Sequence, residues 1–185
     1  MAQRPTLETA RLVLRPFSLD DAGDVQRMAG APEVADTTLN IPHPYEDGMA
    51  EAWIGTHQTR FDAGEGVVLA ITLRDTSALI GCIGLEITKR HRRAEMGYWV
   101  GVPYWGQGYC TEAAQAVIAY GFGELDLHKI VATHLVRNPA SGRVMQKAGM
   151  EREGLMRQHV FNGERFEDLV MYVLLREEWE AKRGD

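Results

Sequence analysis

The alternation of apolar and polar residues along this chain predicts a series of short strands. Residues 11–17 alternate in this way, with Leu12 and Leu14 on one face. Residues 95–102 are instead a short apolar and aromatic run, which predicts a buried strand that Pro103 ends. The same criteria predict strands at 11–17, 67–73, 79–87, 95–102, 129–135, 153–161 and 165–174.

Apolar residues at helical spacing predict helices between these strands. Ser18 and Asp21 form a capping box for a short helix that runs to about residue 28. Trp53 lies on the apolar face of the next predicted helix, where we expect it to be part of the core. The remaining helices are predicted at 46–61, from the turn at 106–108 to about 123, at 139–148, and from 176 onwards.

Proline, glycine and asparagine mark the predicted turns. Residues 30–44 hold three prolines and little periodicity, so we predict a loop there. Gly149 is expected to end the helix before it. Asn162 and Gly163 predict a two-residue hairpin turn between the last two strands. The predicted element order is β α α β β β α β α β β, followed by a short helix.

Composition and charge narrow the functional classes. The chain has 185 residues, 45% of them apolar and 25% charged, which predicts one globular domain spanning 1–185. A net charge of −6 argues against non-specific binding to nucleic acid, which needs a basic face. With no apolar run near the roughly 18 residues of a membrane span and no signal-peptide pattern, we expect a cytoplasmic protein without a membrane partner. Cys82 and Cys110 are too few for a disulfide framework, and the histidines lack zinc-like spacing, so we expect no metal.

A glycine-rich turn, Gly106-Gln107-Gly108, joins the strand at 95–102 to the next predicted helix. Small residues let a phosphate approach the backbone, and the first N–H groups of a helix attract its negative charge. The turn is not a Walker loop, because the chain has no Gly-Lys-Ser/Thr, and Thr111 stands where a dinucleotide fingerprint has its third glycine. Two glycines alone more often mark a tight loop than a ligand site.

Three blocks of the sequence resemble one protein family. Residues 104–113, YWGQGYCTEA, resemble the acyl-CoA pyrophosphate loop of the GNAT N-acetyltransferases. Residues 138–150, NPASGRVMQKAGM, look like the Asn-x-x-Ser helix of the branch that includes the ribosomal-protein Nα-acetyltransferases, and residues 9–17, TARLVLRPF, look like its first strand. The resemblance implies the α+β acetyltransferase fold, in which a largely antiparallel twisted sheet with flanking helices splays between the strands at 95–102 and 129–135.

The resemblance also implies acetyl-CoA as cosubstrate. Backbone amides of the glycine-rich turn would bind its pyrophosphate, and the backbone of Val100 and Val102 would pair with its pantetheine arm. Trp105 and Cys110 depart from the family's loop pattern, so main-chain groups and Thr111 are expected to make the phosphate contacts. The implied cofactor-binding residues are Val100, Val102, Trp105, Gly106, Gln107, Gly108, Tyr109, Cys110, Thr111, Asn138, Ser141 and Lys147.

For catalysis, the resemblance implies direct transfer of the acetyl group to an amine. Glu95 is the candidate general base, with His134 as a second candidate, and a surface or structural role is the alternative for each. The N–H of Val100 would hold the thioester oxygen. Many relatives carry a tyrosine acid where this chain has Met145, so Ser141 becomes the candidate that protonates or hydrogen-bonds the thiolate. A serine that caps its own helical turn is the alternative for Ser141.

These features together predict an N-acetyltransferase that acts on a primary amine. A protein or peptide N-terminus is the favoured acceptor, ahead of a small molecule such as a polyamine, an aminoglycoside or an amino-acid-like compound. A non-catalytic CoA-binding module and a nucleotide-binding domain are the rival functions. The exposed edge of the predicted sheet would permit a homodimer.

Overall fold

A sheet of eight strands runs through the computed structural model, which describes residues 2–184. Its strands are β1 (Leu7–Glu8), β2 (Leu12–Pro16), β3 (Gly66–Leu73), β4 (Leu79–Thr88), β5 (Arg93–Val100), β6 (Lys129–Leu135), β7 (Glu151–Phe161) and β8 (Phe166–Leu175). They lie in the order β1-β2-β3-β4-β5-β6-β8-β7. Strands β7 and β1 are therefore the two edges.

Helices flank this sheet. They are α1 (Ala22–Ala29), α2 (Pro32–Thr37), α3 (Met49–Gly55), α4 (His57–Asp62), α5 (Tyr109–Gly123), α6 (Pro139–Lys147) and α7 (Arg176–Gly184). Within the described chain, none of these helices has the length and apolarity that a bilayer crossing needs.

The sheet splays between β5 and β6. These two strands are parallel, whereas the other pairings of the described strands are antiparallel. Their pairing covers only Arg93–Glu95 on β5 and Lys129–Val131 on β6, although the strands continue to Val100 and Leu135. The α+β fold and the splay that the resemblance implied are thus confirmed.

The helices give the sheet a core on each face. On one face, α5 and α6 contribute Ile118, Phe122 and Met145. On the other face, α1 and α3 contribute Val25 and Ile54. Because side chains alternate along a strand, successive residues of β5 face opposite cores. The gap between β5 and β6 therefore has α5 and α6 on one face of the sheet and α1 and α3 on the other.

The loop predicted for residues 30–44 is wrong, because it contains the helix α2. Pro32 occupies the first turn of that helix, where a missing N–H costs nothing and the fixed φ favours helical backbone. Six residues are too few to show a helical period in the sequence, which is why the prolines alone suggested a loop.

The single helix predicted at 46–61 is instead the pair α3 and α4. Thr56 donates both its N–H (3.1 Å) and its hydroxyl (2.7 Å) to the carbonyl oxygen of Trp53. Because that carbonyl oxygen already accepts two hydrogen bonds from Thr56, it does not continue the regular bonding of α3, and this helix ends there.

The two-residue hairpin turn predicted at Asn162 and Gly163 is also wrong. Phe161 pairs with Phe166, so the connection has four residues. The side-chain oxygen of Asn162 accepts the N–H groups of Glu164 and Arg165 at 3.0 and 2.9 Å, which stabilises the longer turn.

Candidate active site

Gly106 and Gly108 give the turn before α5 its shape. Both adopt left-handed backbone conformations, with φ of +74° and +82°, which other residues rarely accept. Gly108 is the N-cap of α5, and no side chain caps the first turn of that helix. The first N–H groups of α5 therefore remain available to an anion, as the predicted pyrophosphate cradle requires.

Arg11 holds this turn in place, and sequence reasoning missed it. Its Nη1 donates to the carbonyl oxygen of Gln107 at 3.0 Å, and its Nε pairs with Glu112 at 2.7 Å. Its guanidinium also lies 4.6 Å from the centre of the Tyr109 ring. Burial would raise the pKa of Glu112, but hydrogen bonds from Thr9 and Arg11 lower it, so Glu112 is ionised at neutral pH. The turn between β1 and β2 thus braces the cradle.

A cavity of about 290 Å³ adjoins the cradle and runs between β5 and α6. The predicted cofactor residues line it, with the exceptions of Val102 and Gln107. Val102 lies in an exposed turn, and the side chain of Gln107 donates to the carbonyl oxygen of Pro103 at 3.0 Å. Arg143 and Lys147 both border this cavity. The side chains of Val102 and Gln107 are therefore not part of its wall.

The backbone of Val100 faces the splay. Gly101 donates its N–H to Ile80 of β4 at 2.9 Å, and alternate residues of an antiparallel strand direct their N–H groups to opposite edges. The N–H of Val100 consequently points away from β4, toward the gap between β5 and β6. Its carbonyl accepts a 2.6 Å hydrogen bond from the indole of Trp105, which fixes the strand end.

Ser141 does not cap its own helix. Asn138 is the N-cap of α6 and accepts the N–H of Ser141 at 3.4 Å, while its amide donates to Thr37. The hydroxyl of Ser141 lies 2.9 Å from the hydroxyl of Tyr98 instead. The capping alternative for Ser141 is therefore wrong, and its hydroxyl belongs to the cavity.

Tyr98 is the second residue that sequence reasoning missed. It lies two positions before Val100, so the period of the strand puts both on one face, and that spacing was the available signal. Burial raises the pKa of Tyr98 above its ordinary value, more than the hydrogen bond with Ser141 lowers it. Tyr98 therefore keeps its proton at neutral pH and is a hydrogen-bond donor.

Burial and local contacts argue against a reactive role at three positions, although one of them, His134, borders the larger cavity described below. Met145 is 1% exposed in the core, so the usual tyrosine position holds no proton donor. Burial raises the pKa of Cys110 to about 12, so its thiol stays protonated. His134 is buried, its Nδ1 lies 2.8 Å from the Leu135 carbonyl, and its ring occupies the space that a side chain at Gly142 would need. These contacts favour the structural alternative for His134.

A second cavity, of about 600 Å³, lies on the other side of β5. Glu95 borders it, and Thr133 donates a 3.2 Å hydrogen bond to its carboxylate. Glu86 lies directly opposite Glu95 on β4 and also borders the cavity. Trp53, expected in the core, borders the cavity as well as packing against the second core.

Paired glycines open the floor of this second cavity. Gly84 and Gly97 face each other across β4 and β5, two pairs along from Glu86 and Glu95 and therefore on the same face of the sheet. Both glycines border the cavity, and a Cβ built on Gly97 meets no atom of the described chain within 4 Å. The floor beside the carboxylates is therefore bare backbone.

The two cavities meet at β5. Their linings share the residues Thr37, Thr38, Tyr98, Trp99 and Ser141. A ligand held by the cradle and a ligand in the larger cavity would thus approach each other at the Tyr98–Ser141 hydrogen bond. Among residues 2–184, no group of three or more His, Cys, Asp or Glu side chains is placed to hold a metal ion.

Comparison with known proteins gives consistent matches. The sequence model described as an acetyltransferase (GNAT) domain matches residues 11–151. The uncharacterized N-acetyltransferase YoaA of Bacillus subtilis is 32% identical over 173 residues, which cover 93% of this chain and 97% of that protein. The ribosomal-protein-serine acetyltransferase of Escherichia coli is 33% identical over 96 residues, 51% of this chain and 54% of that protein. Among solved structures, spermidine N-acetyltransferase from Vibrio cholerae in complex with CoA and spermine aligns with a TM-score of 0.79 at 21% identity, covering 93% of this chain and 99% of that one.

Proposed function

We propose an acceptor and a mechanism for this enzyme from one premise: the chain belongs to the GNAT family and is an N-acetyltransferase. Its acceptor is a primary amine at a protein or peptide N-terminus, and acetyl-CoA is its acetyl donor. The observation that carries the proposal is the meeting of the two cavities at Tyr98 and Ser141. One cavity has an anion cradle. The other has the carboxylate of Glu95, which attracts an ammonium group, whereas Glu86 pairs with Arg60 at 3.4 Å.

The residues of the smaller cavity fit CoA. The first N–H groups of α5 suit a pyrophosphate, and the exposed left-handed Gly106 lets it approach the backbone. Lys147 and Arg143, which border the same cavity, supply positive charge for a further phosphate. When bound there, acetyl-CoA supplies the thioester whose acetyl group is transferred.

Glu95 is the proposed general base. Its carboxylate borders the larger cavity and is oriented by Thr133, so it can take a proton from an ammonium group seated over Gly97. An α-amine titrates near 8, roughly, whereas a lysine side chain titrates near 10.4. A single exposed carboxylate is therefore better matched to an α-amine than to a lysine.

The N–H of Val100 is the proposed oxyanion donor. It points into the splay, where negative charge would develop on the thioester oxygen. One such donor contributes about 3–4 kcal/mol to transition-state stabilisation.

Ser141 and Tyr98 are the proposed partners of the leaving sulfur. The single proton of the Tyr98 hydroxyl can be donated to the carbonyl oxygen of Ser141 at 3.0 Å or to the Ser141 hydroxyl at 2.9 Å. In either case the hydroxyl of Ser141 can direct its own proton to the sulfur. Because the pKa of Tyr98 is raised, the pair acts by hydrogen bonding rather than as a strong acid, and the thiolate takes its proton from water.

The acceptor cavity suits a peptide end. Its volume of about 600 Å³ exceeds what an amine alone needs, and falls in the range of roughly 300–1,000 Å³ typical of ligand sites. A relative named for ribosomal-protein-serine acetylation supports the same acceptor class. The exposed carboxylate of Glu95 and the fold shared with a spermidine N-acetyltransferase keep a polyamine as the second candidate.

The first test measures the rate at which acetyl-CoA is consumed with each member of a panel of acceptors. The rate is followed by detecting the free thiol of the CoA that is released. The panel holds a serine-initiated hexapeptide with a free N-terminus, the same peptide blocked at its N-terminus and carrying one lysine, spermidine, an aminoglycoside and free serine. We expect the highest kcat/KM for the free N-terminus and little turnover of the blocked peptide. Exclusive turnover of spermidine or another small amine would refute the peptide acceptor.

A thermal shift with CoA tests the donor site separately. CoA at a hundredfold over its Kd stabilises the folded state by about 2.7 kcal/mol, which corresponds to a rise in Tm of about 5–10 °C. ATP and NAD serve as controls and are expected to give no comparable rise. Stabilisation by CoA without turnover of any amine would support the non-catalytic module instead. The cytoplasmic location and the homodimer stay predictions.

A further inference from the structure

The glycine-rich turn Gly106-Gln107-Gly108 is contacted from behind by an arginine that is distant in the sequence. Arg11 donates from Nη1 to the carbonyl oxygen of Gln107 at 3.0 Å. Gly106 and Gly108 border the smaller cavity, whereas Arg11 is not among the described residues that line it. The guanidinium therefore lies on the side of the turn that faces away from the cavity.

The hydrogen bond from Arg11 fixes the direction of the next N–H group. The carbonyl of Gln107 and the N–H of Gly108 belong to one planar trans peptide unit, in which the two groups point in opposite directions. Because the carbonyl points to Arg11, the N–H of Gly108 points away from Arg11, toward the cavity side of the turn. Gly108 has φ of +82° but accepts φ of either sign, so without Arg11 this peptide unit could rotate and present its carbonyl to an anion.

Arg11 also pairs a negative charge at the start of α5. Glu112 lies in the first turn of that helix, and its carboxylate accepts from Nε of Arg11 at 2.7 Å. Left unpaired, this carboxylate would repel a phosphate group bound at the same helix end, because like charges a few ångströms apart destabilise each other. Arg11 thus removes a repulsion in addition to directing a hydrogen-bond donor.

We propose that Arg11 is a positioning residue for acetyl-CoA, which directs the N–H of Gly108 toward the pyrophosphate and pairs the charge of Glu112. This inference rests on the proposed function, because it takes the smaller cavity as the CoA site. Arg11 acts through the peptide unit between Gln107 and Gly108 rather than by contact with the ligand. Its effect should therefore be confined to ligands that carry the pyrophosphate.

Three variants separate the direction of the peptide unit from the charge. Arg11→Met removes both effects, and Arg11→Lys keeps the positive charge without the two directed donors. The double variant Arg11→Met/Glu112→Gln lacks the hydrogen bond to Gln107 but leaves no unpaired carboxylate.

Arg74→Met is the matched control. Arg74 braces the same turn between β1 and β2, since it donates to the carbonyl oxygen of Thr9 at 3.1 and 2.8 Å. Its side chain is 46% exposed, against 48% for Arg11. In the described chain it makes no hydrogen bond to residues 106–108. Damage to the β1–β2 turn alone should therefore appear equally in both methionine variants.

We expect the Kd of CoA, measured by isothermal titration, to rise about 10- to 100-fold in Arg11→Met, the effect of losing one hydrogen bond to a charged group. Dephospho-CoA, which keeps the pyrophosphate but lacks the 3′-phosphate, should lose affinity by the same factor. Arg11→Lys and the double variant should each recover part of the loss, and Arg74→Met should bind CoA as wild type does. With S-acetyl-pantetheine, which has no phosphate, kcat/KM should be the same for Arg11→Met and wild type.

Equal losses with acetyl-CoA and S-acetyl-pantetheine would overturn the inference and make Arg11 a purely structural residue of the turn. An unchanged Kd of CoA in Arg11→Met would also overturn it.

A second measurement needs no turnover. The ¹⁵N–¹H resonance of the Gly108 amide should shift when inorganic pyrophosphate is added to the wild-type protein, and should shift less in Arg11→Met. A resonance that stays in place in wild type, or that shifts equally in both proteins, would contradict the inference. Absence of turnover with every amine would refute only the proposed activity, because the two binding measurements require no acceptor.

Discussion

Replacing Gly97 with valine tests where the acceptor lies. Gly97 is on β5 between Glu95 and Trp99, opposite Gly84, on the floor of the larger cavity. A Cβ at this position meets no described atom within 4 Å, and the backbone of Gly97 is not left-handed. The Cβ of a valine can therefore be placed there without a clash, and the side chain projects into the cavity.

The expected effects on stability and activity have opposite signs. A glycine inside a strand costs about 0.5–1 kcal/mol relative to alanine, and valine favours strands further, so we expect a gain of about 1 kcal/mol. That gain corresponds to a rise in Tm of about 2–4 °C. The three added carbons fill about 90 Å³, the volume of roughly three waters, in a cavity of about 600 Å³. Since a displacement of about 1 Å at a reacting centre costs about a hundredfold in rate, we expect kcat/KM to fall by at least that factor.

The assay compares kcat/KM, Tm and the Tm rise with CoA for Gly97→Val and Gly154→Val. Gly154 is a matched control, because it also lies in a strand, is not left-handed and has no described atom within 4 Å of a built Cβ. Gly97 does not border the smaller cavity, so CoA should stabilise both variants equally. Gly97→Ala should fall between wild type and Gly97→Val.

Wild-type turnover by Gly97→Val would refute this reasoning, because the acceptor would then not lie over the glycine floor. A lower Tm combined with lost activity would also contradict it, since the loss could come from damage to β5. The result in agreement is lost activity with a Tm above that of wild type and an unchanged effect of CoA.

Three further predictions concern the chemistry and the stability of the fold. Tyr98→Phe and Ser141→Ala should each lower kcat by about 10- to 100-fold. The double variant should lose little more activity than either single variant, because both residues act through one 2.9 Å hydrogen bond. If the two losses multiply in the double variant, the residues have separate roles. Glu95→Gln should lower kcat/KM strongly at pH 7 and less at pH 9.5, where a peptide α-amine is already neutral; a loss independent of pH would remove Glu95 as base. Asp21→Asn should destabilise the fold by about 2 kcal/mol, since Asp21 is 7% exposed and accepts from Arg15 at 2.7 Å. Burial would raise the pKa of Asp21, but the hydrogen bonds from Arg15 and from the backbone N–H of residue 18 lower it. The stabilisation by Asp21 is therefore complete above its ordinary pKa of 3.8 and is lost as the pH falls through the lowered pKa. In an acid titration followed by circular dichroism, the stability of the variant should depend less on pH than that of wild type.

The local sequence was sufficient to predict those features that depend mainly on neighbouring residues. The strands β5 and β6, the capping box at Ser18 and the end of helix α6 at Gly149 were all predicted and are present. Each depends on residues within a few positions of one another. The loop predicted where α2 lies and the two-residue hairpin turn were wrong. In both cases the pattern was too short to decide the structure, because it consisted of only six residues or of one Asn-Gly pair.

The sequence by itself determined the glycine-rich turn before α5 and the Asn-x-x-Ser start of α6, because each is a run of neighbouring residues, and its resemblance to one family implied the α+β fold. Only the tertiary structure decided which residues face one another across the splay. Tyr98 contacts Ser141, Arg11 contacts Gln107 and Glu112, and His57 borders the larger cavity, and each of these placements brings together residues far apart in the chain. Such contacts depend on how helices pack against each face of the sheet, and no local period or spacing encodes that packing.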